Sequence, residues 1–479
     1  MSGNTVVVGS ASEAGATNGI IHGDDLSATN DDEGFVGAAY VFVRDDLTGW
    51  SHQAYLKAPN AASNVDPVEN QEWFGFAVDI DGDTVVVGAY NEKGNTTGII
   101  HGSDLSLAND SGDDNGAVYV FRRTGSTWTH EAYLKAPNSS EFDRFGMAVA
   151  IDGDTIAVGV PAEDSSTTAI INGDDLTATD IMGWSNGAVY VFRRTGSTWT
   201  HEAYLKAPNG ANQYQFGTTV AISGDTIVVG SNREDSDTTD IISGADLSGA
   251  NDTGDDNGAA YVFTRSGTTW THQAYLKAPN SSDGDQFGAA VAIFGDTIAV
   301  GAFQEDSDTT QIIHGADLSA TNDNRYSGGA VYVFTRSGTT WTHQAYLKPP
   351  RISNGDSFGQ KLALYENIIA IGAPDEASTA NQVIYGTDLS SANDAGNGNG
   401  AVYLFDRTGT NWAFTAYVKP PNNSDFDSFG WSVAVDSNRV MISSDSEGSN
   451  TNQILSGEQI TTSTNDDGLM NGAVYLFEY

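Results

Sequence analysis

The sequence predicts an all-β protein, a seven-bladed β-propeller of four-stranded antiparallel blades. Three observations predict it: a repeat of 71 residues, four short apolar segments in each repeat, and no window of ten or more residues with helical periodicity. A closed ring leaves only short, protected strand edges, which limits aggregation of so many strands. An open β-solenoid is the alternative, but solenoid coils are much shorter than this repeat.

The repeat is marked by residues that return at fixed intervals. A polar residue before a VVVG-like segment occurs seven times; the first interval between successive occurrences is 79 residues, and each of the next five is 71. These residues are Asn4, Asp83, Asp154, Asp225, Asp296, Asn367 and Asn438. We therefore divide one domain, residues 1–479, into repeats at about 1–73, 74–144, 145–215, 216–286, 287–357, 358–428 and 429–479.

The third repeat illustrates the four segments. FGMAVAI alternates, TIAVGV is nearly continuous as in a strand buried on both faces, and GAVYVF and WTHEAYLKA follow. Asp152-Gly153 is a hairpin signal between the first two segments, and RRTGST joins the last two. The second and third segments occur seven times and the others six times, so the first and last blades are predicted to be incomplete. We favour an N-terminally truncated chain over blades that are simply three-stranded.

The chain is strongly acidic, with 63 acidic and 21 basic residues and a formal net charge of −42. Such a surface repels nucleic acid and anionic lipid and attracts cations. It is either a solubilising surface or a surface that binds divalent cations. The sequence contains no cysteine, which excludes disulfides and thiolate metal sites. It also contains no apolar run of about eighteen residues, so we expect no membrane insertion.

The repeat resembles a known family. Phe-Gly, a VAI segment, G-D-T-(V/I)-x-V-G-A and G-A-V-Y-V-F are together similar to FG-GAP repeats, which build the seven-bladed propeller of integrin α subunits. WFGFAVDI and VVVGAY, at residues 73–80 and 85–90, are especially similar. The tandem style, with RSGTTWTHQAYLKAPN between blades, is more similar to integrin-like repeat proteins of bacterial surfaces. The resemblance implies an extracellular or cell-surface location, although the start of the sequence, MSGNTVVVGS, lacks the basic and long apolar regions of a secretion signal.

The resemblance does not extend to the calcium loops. Integrin-type loops of the form D-x-D-x-D-G-x-x-D lie between the first and second strands. Only Asp-Gly stands at that connection here, and this turn is too tight to wrap a cation. Any bound calcium is therefore expected elsewhere in the repeat.

The acidic residues collect in the long connections. Because strand direction alternates in a meander, the insert between the second and third strands lies on the same face as the loop that leads to the next blade. Carboxylates about 4 Å apart repel by about 4 kcal/mol at an effective dielectric of about 20, and calcium prefers such oxygen ligands. We therefore predict calcium as a cofactor, with ligands among Glu92, Glu163, Glu234, Asp235, Asp237, Glu305, Asp306, Asp308, Glu376, Asp104, Asp175, Asp246, Asp317 and Asp388.

Two groups of these acids have a structural alternative. The glutamate four residues beyond the strand-two glycine position occurs in all seven repeats, and it could instead accept backbone N–H bonds at the base of the loop. The aspartate of G-x-D-L occurs in six repeats, and it could cap a short helical turn, since D-L-S-x-A-N reads as an N-cap. For this aspartate, capping is favoured.

Two inserts depart from the polar closing motif. The third repeat has Ile181-Met182-Gly183-Trp184 there, and the fifth has Asn324-Arg325-Tyr326. Trp184, Arg325 and Tyr326 are residue types that anchor ligands at interfaces, which makes them candidate ligand-binding residues. Packing inside the insert is the equal alternative.

The sequence contains no nucleophile elbow, phosphate loop or isolated Ser/His/Asp set. The first hypothesis is therefore a non-enzymatic, calcium-stabilised adhesion or ligand-binding propeller outside the cell, whose partner is a protein or glycan on a cell surface or matrix. The alternative is a multivalent lectin. A hydrolase or dehydrogenase that uses the central channel ranks third, because no unique set of polar residues converges on one blade.

Overall fold

The structure is a computed structural model of the chain. It describes all residues except 16, 27–34, 61–70, 107, 109–111, 178, 180–182, 245, 320, 450–452 and 456–470. The described residues form strands β1 to β32 in seven antiparallel sheets, so the protein is an all-β, seven-bladed propeller, as predicted. None of these residues lies in an α-helix, and no helix long and apolar enough to span a membrane occurs among them.

The described chain divides into two compact units, residues 1–229 with 263–272 and residues 230–262 with 273–479. The first unit contains three sheets, ordered β1-β3-β4-β2, β5-β6-β8-β9-β7 and β10-β11-β13-β14-β12. Their strands are β1 (Thr5–Ser10), β2 (Ile20–His22), β3 (Ala38–Asp45), β4 (Gly49–Leu56), β5 (Ala77–Asp81), β6 (Thr84–Ala89), β7 (Ile99–His101), β8 (Ala117–Thr124), β9 (Thr127–Leu134), β10 (Ala148–Asp152), β11 (Thr155–Val160), β12 (Ile171–Asn172), β13 (Ala188–Thr195) and β14 (Thr198–Leu205).

The fourth sheet has the same order, β15-β16-β18-β19-β17. Its strands are β15 (Thr219–Ser223), β16 (Thr226–Ser231), β17 (Ile242–Ser243), β18 (Ala259–Ser266) and β19 (Thr269–Leu276).

The second unit contains the last three sheets, ordered β20-β21-β23-β24-β22, β25-β26-β28-β29-β27 and β30-β31-β32. Their strands are β20 (Ala290–Phe294), β21 (Thr297–Ala302), β22 (Ile313–His314), β23 (Ala330–Ser337), β24 (Thr340–Leu347), β25 (Lys361–Tyr365), β26 (Ile368–Ala373), β27 (Ile384–Tyr385), β28 (Ala401–Thr408), β29 (Asn411–Val418), β30 (Phe429–Val435), β31 (Arg439–Ser444) and β32 (Ala473–Glu478).

Blades two to six have five strands, one more than predicted. The additional strand is a short segment of the insert, and in the third blade it pairs Ile171 with Tyr204 and Asn172 with Ala203. A β-branched isoleucine suits a strand, and the pairing covers the edge of the outermost long strand. Among the described residues the first blade has four strands and the last has three, so both are incomplete relative to the others, as predicted.

The hydrophobic core lies between the faces of consecutive sheets. One cluster joins Val118 and Val120 of the second blade to Ile156 and Val158 of the third. Trp199 is buried in the same cluster, and its indole N–H donates to Glu131 Oε1 at 2.7 Å. Burial of one large aromatic at each such position supplies much of the stability of the sheet stack.

Close approach between blades explains the recurring glycines. A Cβ atom added to Gly159 would lie 2.1 Å from the carbonyl oxygen of Gly217 in the next repeat, far inside van der Waals contact. Only glycine therefore fits at this position of the third blade. The Phe-Gly and Val-Gly pairs of the repeat are a packing signature.

The turn between the first two strands is short. In the third blade, Asp152 pairs with Thr155, so the turn residues are Gly153 and Asp154 rather than Asp152 and Gly153. Gly153 has a φ of 57°, which favours glycine. Two residues cannot surround a cation, in agreement with the departure from integrin-type calcium loops.

Candidate functional site

Each central blade carries a compact unit of irregular chain that we call the loop module. It consists of the insert after the second strand and the loop after the fourth strand, which in the third blade are residues 161–187 and 206–216. Backbone hydrogen bonds join the two parts: Gln213 N–H donates to Trp184 O at 2.7 Å, and Gln215 N–H donates to Ser185 O at 3.1 Å. The insert is thus an ordered element in its described residues, as its constant length predicts.

The repeated glutamate lies at the buried base of the loop module. In the third blade, Glu163 accepts a hydrogen bond from the Tyr204 hydroxyl at 2.7 Å and one from Lys206 Nζ at 2.8 Å. Lys206 Nζ also donates to Ser165 O at 2.8 Å. The same three side chains meet in four other blades: Glu92, Tyr133 and Lys135; Glu234, Tyr275 and Lys277; Glu305, Tyr346 and Lys348; Glu376, Tyr417 and Lys419.

These contacts tie the insert to the fourth strand of its own blade. Three of the glutamates also accept the backbone N–H of the serine two residues on, which is the structural alternative considered from the sequence; the serines are Ser236, Ser307 and Ser378. Both carboxylate oxygens therefore have donors already. Metal ligation by these glutamates remains a prediction, and the geometry favours a structural ion pair.

The five aspartates of the G-x-D-L motif that are predicted metal ligands are exposed and act as local caps. Asp104 accepts the N–H of Ser106 at 3.0 Å, and hydrogen bonds from the side chain and backbone of Ser106 lower the pKa of Asp104. Leu105, between them, is buried and anchors the turn. Four other aspartates of the motif accept the equivalent backbone N–H at 3.0–3.1 Å: Asp175, Asp246, Asp317 and Asp388. The geometry is the favoured alternative, capping of a turn.

Asp237 and Asp308 hold the two ends of their inserts together. Asn251 Nδ2 donates to Asp237 Oδ1 at 2.5 Å, and Thr253 Oγ1 donates to the other oxygen at 2.9 Å. Asn322 Nδ2 donates to Asp308 Oδ1 at 2.7 Å. Both aspartates are exposed, so their free oxygen lone pairs face solvent.

Three acids meet in the loop module of the fourth blade. Carboxylate oxygens of Asp235, Asp255 and Asp256 lie within 4.8 Å of one another. Asp256 N–H donates to Asp235 Oδ1 at 2.9 Å, and Asp256 has a φ of 52°. Burial raises the pKa of Asp256, while Arg233 lowers it. Among the described residues this is the one group of three acids close enough to share a cation, and its oxygens are of the kind that calcium binds.

The corresponding Asp306 is held in the same way but has a different neighbour. Asp306 Oδ1 accepts the N–H of Ser327 at 2.7 Å, as Asp235 does from Asp256. The serine brings no second carboxylate. Of the predicted metal ligands, Asp235 is thus brought together with two further acids, Asp255 and Asp256, that the prediction did not include.

A second set of acids is buried within the loop modules, in the loop that follows the fourth strand. Asp285 accepts the N–H of Ser282 at 2.9 Å, and burial raises its pKa to about 8, with further increases from the charges of Glu305, Asp323 and Asp306. The equivalent Asp143 behaves alike, since burial raises its pKa to about 8. A cation nearby would reverse both shifts.

The predicted ligand-binding residues differ in exposure. Trp184 and Tyr326 are largely exposed. Arg325 is half-buried, and its backbone N–H donates to the backbone carbonyl of Asp306 at 2.6 Å. Ile181 and Met182, which accompany Trp184, lie outside the described residues. Phe142 and Phe426 are also exposed and were missed, although each stands before Phe-Gly where other repeats carry Gln213, Gly284 or Gly355.

The comparison with family models agrees with the repeat architecture. A family model described as FG-GAP repeat matches residues 50–121, 128–192, 199–263 and 270–334, more than half of the chain. A search of curated protein sequences returns no significant match. Among solved structures, a phage phi92 endosialidase is similar at 10% identity and a TM-score of 0.32, over 99% of this chain and 68% of that one.

Proposed function

We propose a non-enzymatic binding function for this chain, which belongs to the FG-GAP repeat family. The chain is an extracellular or cell-surface propeller that adheres to a protein or glycan on another surface or matrix through its loop modules. The proposal rests on how the loop modules are built. In five blades a buried Glu–Tyr–Lys base ties the insert to the fourth strand, while carboxylates and, in four of these blades, large aromatic side chains remain exposed on the module.

Calcium is the proposed cofactor, and the acids of the fourth blade are its best candidate ligands. Asp235, Asp255 and Asp256 supply three carboxylates to one volume, and clustered carboxylates repel unless a cation is present. Calcium-binding modules outside the cell have Kd values of about 10⁻⁴–10⁻³ M, which suits a small, partly exposed set of ligands. Bound calcium would stabilise the loop module and present it to the partner.

Calorimetric titration with calcium chloride tests this proposal. We expect saturable binding and a rise in melting temperature that EDTA reverses. Asp255→Asn should weaken the binding, while Asp240→Asn, at an exposed acid of the same insert, should leave it unchanged. No shift in melting temperature on adding EDTA would contradict the role of calcium.

Adhesion itself is tested with the whole chain immobilised on beads. We expect saturable, calcium-dependent attachment of the beads to surfaces coated with matrix glycoproteins or with oligosaccharides. Absence of attachment to both would contradict the binding function. A lectin is the second candidate, because the exposed aromatic side chains described above are suited to stacking on sugars.

A further inference from the structure

Two positions of each loop module are neighbours although they lie 29 residues apart in the sequence. The N–H of one residue, in the loop before Phe-Gly, donates to the carbonyl of the other, at the end of the insert. The bond measures 2.7–2.9 Å in five blades, in the pairs Asp113 and Phe142, Trp184 and Gln213, Asp255 and Gly284, Tyr326 and Gly355, and Asn397 and Phe426.

Four of these five pairs contain one aromatic residue, and none contains two. Where the insert position is aromatic, its partner is Gln213 or Gly355; where the partner is phenylalanine, the insert position is Asp113 or Asn397. The exposed fractions are 56% for Phe142, 65% for Trp184, 74% for Tyr326 and 66% for Phe426. Four of the five pairs thus contain one exposed ring, which lies at the insert position in two of them and in the loop before Phe-Gly in the other two.

For two of the four rings, those of Phe142 and Phe426, the backbone conformation argues against a role in folding. Phe142 and Phe426 have φ angles of 67° and 68°, in the left-handed region that disfavours residues with a Cβ atom. The equivalent Gln213, Gly284 and Gly355 have φ angles of 69°, 82° and 79°, so the position is left-handed in all five blades. A phenylalanine at such a position, with more than half of its side chain exposed, brings strain and little burial. Strain of this kind is typical of functional sites.

We infer that these four rings are separate subsites for neutral saccharides, an inference that rests on the binding function proposed above. A flat, exposed aromatic face packs against the C–H face of a sugar, and adjacent amides and carboxylates accept hydrogen bonds from its hydroxyl groups. Such groups flank the rings: Asn212 accepts the N–H of Trp184 at 3.1 Å, and Asp425 accepts the N–H of Asn397 at 3.1 Å beside Phe426.

The charge of the chain selects among saccharides. With a formal net charge of −42, the protein repels sialylated and sulfated glycans, which are anionic. Neutral saccharides are not repelled when their hydroxyl groups approach carboxylates. Four weak and similar subsites on one chain would bind a glycan-coated surface by avidity, without any one of them being strong.

The experiment measures binding of the whole chain, in calcium, to immobilised neutral and sialylated oligosaccharides, followed by titration with the methyl glycoside of the best terminal sugar. We expect binding to neutral glycans and a stoichiometry of four that falls to three in Trp184→Ala, Tyr326→Ala, Phe142→Ala or Phe426→Ala. The variant with all four changes should lose glycan binding entirely. Tyr385→Ala, which removes a 69% exposed aromatic outside the pairs, is the matched control and should keep all four sites.

Thermal unfolding of each variant checks that the blades remain folded. Attachment of the beads to matrix proteins without binding to neutral glycans would overturn this inference and leave the proposed binding function standing. Loss of glycan binding in Tyr385→Ala equal to that in the pair variants would also overturn it. Attachment to neither surface would overturn both.

Discussion

The buried pair of Lys277 and Glu234 allows a direct test of what holds an insert in place. Lys277 Nζ donates to Glu234 Oε2 at 3.0 Å, to Ser236 O at 2.6 Å and to Gly258 O at 2.7 Å. Neither side chain has exposed surface. Lys277→Met keeps an unbranched chain but removes all three donors, and it leaves the carboxylate of Glu234 buried without its cation.

Loss of one partner of a buried ion pair costs about 3–5 kcal/mol, because the remaining charge stays out of water. We expect the free energy of unfolding of Lys277→Met to fall by this amount. The double variant that adds Glu234→Gln should lose less, since it buries no charge and its amide oxygen can still accept the hydroxyl of Tyr275.

Urea unfolding at pH 7, followed by tryptophan fluorescence, measures these differences. A loss in Lys277→Met below about 1 kcal/mol, the range of an exposed ion pair, would refute the structural role of the pair. The same titrations in calcium chloride test the predicted metal ligation by Glu234. Ligation requires that Glu234→Gln abolish calcium stabilisation, whereas a purely structural glutamate leaves it intact.

Three further changes have signs that follow from the structure. Phe426→Gly should raise the free energy of unfolding by about 1 kcal/mol in urea titrations, because glycine adopts a φ of 68° without steric cost; no gain would contradict the strain argument. Burial raises the pKa of Asp285 to about 8, so the native state of the unmodified protein loses stability as pH rises from about 4 to about 8. Asp285→Asn removes this loss, so the variant should become progressively more stable than the unmodified protein across the same window. A stability difference that does not change with pH would contradict this explanation. Burial lowers the pKa of His343 to about 4, so the unfolded chain takes up a proton before the native state does and stability falls from about pH 6.5 to about pH 4. His343→Phe, which copies Phe414 of the sixth blade, should reduce this loss of stability. An unchanged slope of the free energy of unfolding against pH would contradict the explanation.

The fold was accessible from the sequence because each repeat must solve the same packing problem. Period, hairpin turns and buried strands all follow from local pattern, and the structure confirms seven blades. The fifth strand was missed because β12 is only two residues long, Ile171 and Asn172, and its pairing with β14 depends on a tertiary contact. Patterns of two residues carry no periodicity.

The site was less accessible because its contacts join residues far apart in the sequence. Asp255 and Asp256 belong to the closing motif of the insert, about 20 residues from Asp235 in the sequence, and only the folded insert brings the three together. Likewise, Phe142 and Trp184 occupy different sequence positions, so aligning repeats does not place them in one class. They are recognised as members of equivalent pairs by the backbone hydrogen bond that joins Phe142 to Asp113 and Gln213 to Trp184.

Recurrence within the chain therefore separates scaffold from site. A residue present in every blade serves a need that every blade shares, as Glu163 does when it binds Lys206 and Tyr204 inside the protein. A partner outside the protein meets whatever changes from blade to blade on that fixed base. The two paired positions of the loop modules change between aromatic, amide, glycine and acid. Recognition is accordingly expected at the variable positions that the invariant base holds in place.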